Sequence, residues 1–267
     1  MIQNWKKLKR KTFKPMNNLF SKLGILFVVS LFLLICVSTS YAKPNKLLVV
    51  TVTKGYKHQS IPVLEKVIED LGKINNKYTV DFARTDKDLA MKMNAAGLQD
   101  YDGVVFASTT GDLPLPDKEA FLKWIKAGNA FIGIHSATDT FHNFQPFIEM
   151  IGGEFSAHGP QLKVSLISQD IKHPATKHLS KTTELFDEIY VFKSFVRENV
   201  QVLLSLDKNP NQKDKEDFNK PGFYPIAWCR RYGKGRVFYT ALGHREDVIE
   251  SEIFKKHLLG GINWSLK

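Results

Sequence analysis

The sequence predicts an α/β domain built on a doubly wound, mostly parallel sheet with additional strands. From Lys46 onward, short β-branched runs alternate with amphipathic helical stretches, the order that covers both faces of a parallel sheet with helices. The first run, KLLVVTVT (46–53), is apolar without interruption rather than alternating, as a strand covered on both faces must be. No internal repeat breaks the pattern, and the roughly 225 residues after residue 42 are enough for one hydrophobic core.

The elements follow in order. SIPVLEKVIEDLGK (60–73) sets Ile61, Leu64, Val67, Ile68 and Leu71 along one helical stripe, with Ser60 as its N-cap and Gly72 near its end. YTVDFAR is the second strand, DKDLAMKM a short helix and DGVVFAS the third strand. PDKEAFLKWIKAG is a helix opening on Pro116 and closing on Gly128. AFIGI (130–134) is the fourth strand, with FQPFIEMIG as the helix behind it. The second half is richer in strands: LKVSLIS, DEIYVF, VQVLLSL, YPIAWCRRY and GRVFYTALG. DKNPNQKDKEDFNKPG (207–222) reads as a polar, exposed loop, and SEIFKKHLLGGINWSL as the closing helix.

Residues 1–42 stand apart. Lys6, Lys7, Lys9, Arg10, Lys11, Lys14 and Lys22 precede any acidic residue, and the apolar run LGILFVVSLFLLICV (23–37) comes next. Ser40 and Ala42 then occupy the small-residue positions of a signal-peptidase site. The expectation is a signal peptide over 1–42, cleaved after Ala42, and a domain over 43–267 that is exported, periplasmic or secreted. A retained membrane anchor is the alternative, because the apolar run is close to the shortest that spans a bilayer. A lipoprotein site at Cys36 fits less well, since bulky Ile35 precedes it.

The leader also accounts for most of the charge. Of 38 cations and 27 anions behind the net +11, it holds seven cations and no anion, leaving +4. The basic character therefore gives no reason to expect nucleic acid as a partner. After cleavage Cys229 alone remains, which excludes an intrachain disulfide; in an apolar strand it reads as a buried, inert thiol.

Ligands of open parallel sheets sit beyond the carboxyl ends of the strands. KGYKH places Tyr56 and His58 there, STTGD places Thr109, Thr110 and Asp112, and HSATD places His135, Ser136 and Asp139. ALGH adds His244, with Arg245 and Glu246 behind it. Three histidines on one rim exceed what loop composition supplies. His158, in the Gly-flanked turn SAHGPQ, and Tyr190, beside Asp187 and Glu188, are further candidates. Adjacent carboxylates in a strand face opposite ways, so at most one of that pair reaches a given site. Structural roles compete: His135 as a hydrogen-bonded core histidine, Asp139 as a helix cap, Thr109 to Asp112 as a simple turn. His173 and His178 need only a turn and a surface helix, and His142 and His257 read as helical surface.

The segments TKGYKHQSI, STTGD, GIHSATD, GGEFSAH, DEIYVF, PIAWCRRYGKGRVFYTALGH and FKKHLLGGINW, in this order, resemble the ThuA-like (trehalose-utilisation) family from about Lys46 to Trp264. The resemblance implies a variant of the class I glutamine amidotransferase-like, flavodoxin-like fold. Active members of that parent fold carry a cysteine at the sharp turn after the central strand. His135 stands at that place here, and imidazole does not replace the thiolate that a glutaminase needs for its acyl intermediate. Ser136 is one residue too late, and GIHSA lacks the second glycine of a nucleophile elbow. The sequence departs from the family pattern twice: Phe223-Tyr224-Pro225 replaces Asp-His-Pro, and His158-Gly159 replaces His-Pro.

What the resemblance implies is carbohydrate metabolism: trehalose, related disaccharides, or 3-keto-sugars made by a sugar oxidoreductase acting alongside. The expected activity is an exported enzyme of hydrolase or lyase type. His135 is its central acid/base, assisted by His58, His244 and Asp139, while Tyr56, Thr110, Asp112, His158 and Tyr190 bind substrate. A two-carboxylate glycosidase is disfavoured, because the rim carboxylates do not single out a catalytic pair. No cofactor is required; zinc or another divalent ion on His58, His135, His158 or His244 is a variant, although their spacing forms no short motif. The other expectation is a non-catalytic carbohydrate-binding protein in which Tyr56, Phe141, Phe144 and Tyr224 stack on sugar rings.

Overall fold

Unbroken apolar runs become the interior strands. The computed structural model describes residues 43–206, 208 and 224–267; the expected leader, with Cys36, and the polar loop apart from residue 208, with Phe223 after it, lie outside the described residues. β1 (Asn45–Val50), β3 (Gly103–Ala107) and β4 (Ala130–Ile134) are buried from Leu47 onward in β1 and throughout in the other two. With β2 (Tyr78–Ala83) and β11 (Gly235–Thr240) they form a parallel array in the order β2-β1-β3-β4-β11. β10 (Tyr224–Tyr232), β9 (Gln201–Leu206), β6 (Leu162–Ser168) and β7 (Thr182–Asp187) continue the same sheet antiparallel, to nine strands. β5 (Glu154–His158) and β8 (Tyr190–Lys193) form a separate antiparallel ribbon.

Helices cover both faces, as the doubly wound expectation requires. On one face α3 (Lys118–Lys126) and α4 (Gln145–Ile151) bring Phe121 and Phe147 against Phe106 and Phe131 of the sheet, with ring centroids 5.7–6.2 Å apart. Aromatic pairs at that spacing add to the apolar burial. On the other face lie α1 (Ile61–Asn75), α5 (Glu246–Glu250) and α6 (Glu252–Ser265), packed on one another. α2 (Asp86–Lys92) flanks β2. Phe238 of β11 lies so close under α6 that a Cβ on Gly261 would sit 2.4 Å from its ring. Residues 44–267 form one compact unit, and among the described residues no helix is long and apolar enough to cross a membrane.

Several local expectations change. Ser60 precedes α1 but its side chain makes no capping bond, and the helix closes on Asn76 in a left-handed conformation. α3 begins at Lys118 because Asp117 caps it, accepting from the Ala120 N–H at 2.8 Å; Pro116 lies outside. DEIYVF is two strands, with the chain leaving the main sheet after Asp187 and entering the ribbon at Tyr190. His158, expected in a turn, is the last residue of the strand β5. His142 lies in a turn before α4, and His257 points into the core from α6, so neither is helical surface.

Register levels the strand ends. Val50 is opposite Phe106, and Ile134 is opposite both Ala107 and Thr240, so the segments leaving β1, β3, β4 and β11 start at one height. That edge carries the site.

Candidate active site

The turn after β4 fixes the first ring. His135 has φ +51°, a conformation L-residues seldom adopt, and begins a short 3₁₀ turn, His135–Asp139. Close packing enforces it. A Cβ on Gly133 would meet the Tyr239 ring at 3.0 Å and the Ala137 Cβ at 3.2 Å, so Gly133 and Ala137 together do what two glycines do in a nucleophile elbow. The Tyr239 hydroxyl donates to the His135 carbonyl at 2.7 Å. The elbow geometry is present although the second glycine is not.

The His135 ring is wholly buried, with Nδ1 2.8 Å from the Ala241 carbonyl oxygen. A carbonyl only accepts, so Nδ1 carries the proton and Nε2 keeps its lone pair. Around Nε2 lie the Tyr190 hydroxyl at 2.9 Å, His58 Nε2 at 3.1 Å, His244 Nδ1 at 3.3 Å and a Glu188 oxygen at 3.6 Å. His58 approaches from the β1–α1 loop, with its Nδ1 3.4 Å from the Ser136 hydroxyl. His244 follows β11, in a turn anchored by Asp187, which accepts from the Gly243 N–H at 2.8 Å and the Arg245 N–H at 3.2 Å. Glu188 joins from the break between β7 and β8, its other oxygen 3.1 Å from His158 Nδ1. His158 and Tyr190 face each other across the ribbon.

Electrostatics divide these rings. Burial, and next the nearby His58, hold His135 well below the usual histidine range. Burial, then His244, push His58 down to about 4. His244 moves the other way, raised first by its hydrogen bond to Glu188. Of the three rings, His244 is therefore the one most readily protonated. Burial lifts Asp187 to about 6 against its backbone hydrogen bonds.

The structure brings His58, His135, His244, His158 and Tyr190 together, with Tyr56 against His58, and sends Asp139, Thr110 and Asp112 elsewhere. Asp139 is ion-paired with His142 at 2.7 Å and caps no helix. Glu154 binds the other His142 nitrogen at 2.7 Å, and the two carboxylates outweigh burial to raise the His142 pKa. Thr110 is buried and braces the β1–α1 loop, donating to the Tyr56 carbonyl at 2.9 Å and accepting from the Gly55 N–H at 3.2 Å. Thr109 pairs with the Thr140 hydroxyl, and exposed Asp112 with Lys118. Of the aromatic candidates, Phe141 and Tyr224 are core and Phe144 packs against it, leaving Tyr56 exposed. Cys229 is buried, its thiol pushed up to about 12 by burial, as an inert thiol should be.

His58 and His244 line an open cleft of about 460 Å³, with Tyr56, Ser60, Gln161 and Arg245 on its walls. His135 lies behind them. Gln161 accepts from the Arg245 guanidinium at 2.8 Å, so these walls are already ordered. The cleft offers hydrogen-bond donors and acceptors above a floor of lone pairs. His58, His135, His244 and Glu188 each present one donor atom there, all four within 4.8 Å of one another. Glu188 is the member that sequence reasoning missed; its signal was its place two residues before Tyr190.

Comparison with known proteins agrees with this architecture. The ThuA family model, described as trehalose utilisation, matches residues 46–265. Among solved structures, the chain is similar to a ThuA-like protein from Parabacteroides merdae ATCC 43184, with 20% identity, TM-score 0.65 and coverage of 84% of this chain and 91% of that one. A ThuA-like protein from Bacteroides uniformis ATCC 8492 gives 20% identity, TM-score 0.64 and 85% and 94% coverage. A cytoplasmic protein from Salmonella typhimurium LT2 gives 13% identity, TM-score 0.59 and 83% and 100% coverage. At these identities the likeness bears on the fold. No curated protein matches the sequence.

Proposed function

The chain belongs to the ThuA family, and from that premise we propose that it is an exported enzyme of carbohydrate metabolism that processes a disaccharide or keto-sugar at the imidazole cluster. The observation that carries this reading is the convergence of His58, His135, His244 and Glu188, from four separate loops, beside a polar cleft that His58 and His244 line. Sugar hydroxyls would find partners in Gln161 and Arg245, and exposed Tyr56 offers a ring face at the rim. Proton transfer to or from a sugar oxygen, or beside a ketone, is the work of the His58–His135–His244 network, in which His244 is more readily protonated than the other two rings. The absence of a thiol from the elbow, where His135 stands, argues against a glutaminase.

The test incubates the purified protein with trehalose, other disaccharides and their 3-keto derivatives and follows products by chromatography. Turnover is expected in the wild type, with a loss of about 100-fold or more in His135→Ala and His244→Ala. Saturable sugar binding without any product would make the protein a carbohydrate-binding module instead. Full turnover in His135→Ala would remove that residue from the reaction. Export rests on residues 1–42, and N-terminal sequencing of the protein recovered outside the cytoplasm is expected to begin at Lys43.

A further inference from the structure

We infer that His58, His135, His244 and Glu188 are the ligands of a divalent transition-metal cation. The inference goes beyond the carbohydrate reading and does not need it. An ion bound about 2.1 Å from nitrogen and oxygen donors sets neighbouring donors roughly 3.0–3.4 Å apart. Four of the six separations in the cluster are 3.1 Å (His135–His58), 3.3 Å (His135–His244), 3.3 Å (His244–Glu188) and 3.6 Å (His135–Glu188), and all six lie within 4.8 Å.

Hydrogen bonding alone does not account for so tight a gathering. The single lone pair on His135 Nε2 faces three potential donors, from Tyr190, His58 and His244, and accepts one good hydrogen bond. A cation satisfies the converging lone pairs together. The surroundings are those of ligands held in place. The far nitrogen of His135 donates to the Ala241 carbonyl, that of His58 lies 3.4 Å from the Ser136 hydroxyl, and the second oxygen of Glu188 lies 3.1 Å from His158 Nδ1, which is itself 2.9 Å from the Gly159 carbonyl oxygen. The other His–carboxylate group, His142 between Asp139 and Glu154, spends both ring nitrogens on carboxylates and has no lone pair to give.

Three imidazoles and one carboxylate favour zinc, cobalt, nickel, iron or manganese over magnesium and calcium, which take oxygen donors. The assigned role of His158 is positioning: it keeps one Glu188 oxygen turned towards the imidazoles. Because His58 and His244 line the cleft, a cation held there would acidify a water or sugar oxygen binding above it. Proton transfer by the network would then run through that oxygen.

The test needs no sugar. The full chain is stripped with chelator, then titrated calorimetrically with Zn²⁺ and, in parallel, with Co²⁺ read by visible absorption. One equivalent per chain, a Co²⁺ spectrum with nitrogen-ligand intensity and a raised melting temperature are expected. Affinity should fall about 100-fold or more in His135→Ala and Glu188→Gln and about 10-fold in His158→Ala, and stay unchanged in His142→Ala. Metal-free melting curves show which variants fold; should His135→Ala fail, Glu188→Gln and His58→Asn decide. No saturable binding, binding indifferent to these ligand substitutions, or equal displacement by Mg²⁺ or Ca²⁺ would overturn the inference. Metal binding without sugar turnover would instead sink only the carbohydrate reading.

Discussion

A left-handed histidine needs a reason, and Tyr239 supplies part of it. Its hydroxyl binds the His135 carbonyl and lies 3.0 Å from the Thr138 hydroxyl, so it fixes both ends of the first turn after β4. Tyr239→Phe is expected to cost about 1–3 kcal/mol, because it leaves a buried carbonyl without its donor; a denaturation midpoint measures it. Single residues were legible in the sequence where their role is local. His58, His135 and His244 each lie in a segment that leaves the carboxyl end of a strand, and the strand-end rule finds them without any knowledge of partners. Glu188 was hidden because it lies where an apparently continuous strand breaks. His257 was hidden for a different reason: its partners, the Ala175 carbonyl at 2.8 Å and the Thr240 hydroxyl at 3.1 Å, come from distant segments.

At the scale of elements, the helices and parallel strands were legible because their periods are local. The ribbon was not: β5 and β8 are short, lie far apart in the chain, and pair only with each other. Gly260 and Gly261 in α6 look like helix weaknesses, yet each marks a close approach. A Cβ on Gly260 would meet the Pro174 carbonyl at 2.2 Å, and one on Gly261 the Phe238 ring at 2.4 Å. Gly261→Ala is therefore expected to destabilise by about 1–3 kcal/mol although alanine is the better helix former, a sign opposite to propensity that thermal melting would reveal. Ser251→Ala, which removes the cap accepting from the Phe254 N–H, should cost about 1 kcal/mol by the same measurement.

For the whole molecule, buried neutral histidines set the response to acid. His257 is wholly buried with its pKa lowered to about 4 by burial, and burial lowers His173 to about 4 as well. Their unfolded values lie near 6.5, so between pH 6.5 and 4 the unfolded chain binds more protons and stability falls as pH falls. Each such group contributes on the order of 3 kcal/mol across that window. Asp187, raised to about 6, acts with opposite sign and offsets part of it. In chelator, His257→Gln is expected to be less stable at pH 7 but to lose less on acidification; a slope equal to that of the wild type would contradict the assignment. The overall architecture was readable because alternation of strand and helix leaves few ways to wind a sheet. The cluster was readable only in part, because proximity between residues far apart in sequence is a property of the finished fold. That feature has a consequence for biogenesis. The donors enter at residues 58, 135, 188 and 244, so the centre stays incomplete until β11 has emerged and docked beside β4. Any product lacking its last strand, whether from stalled synthesis or a protease, inherits isolated side chains and no assembled cluster.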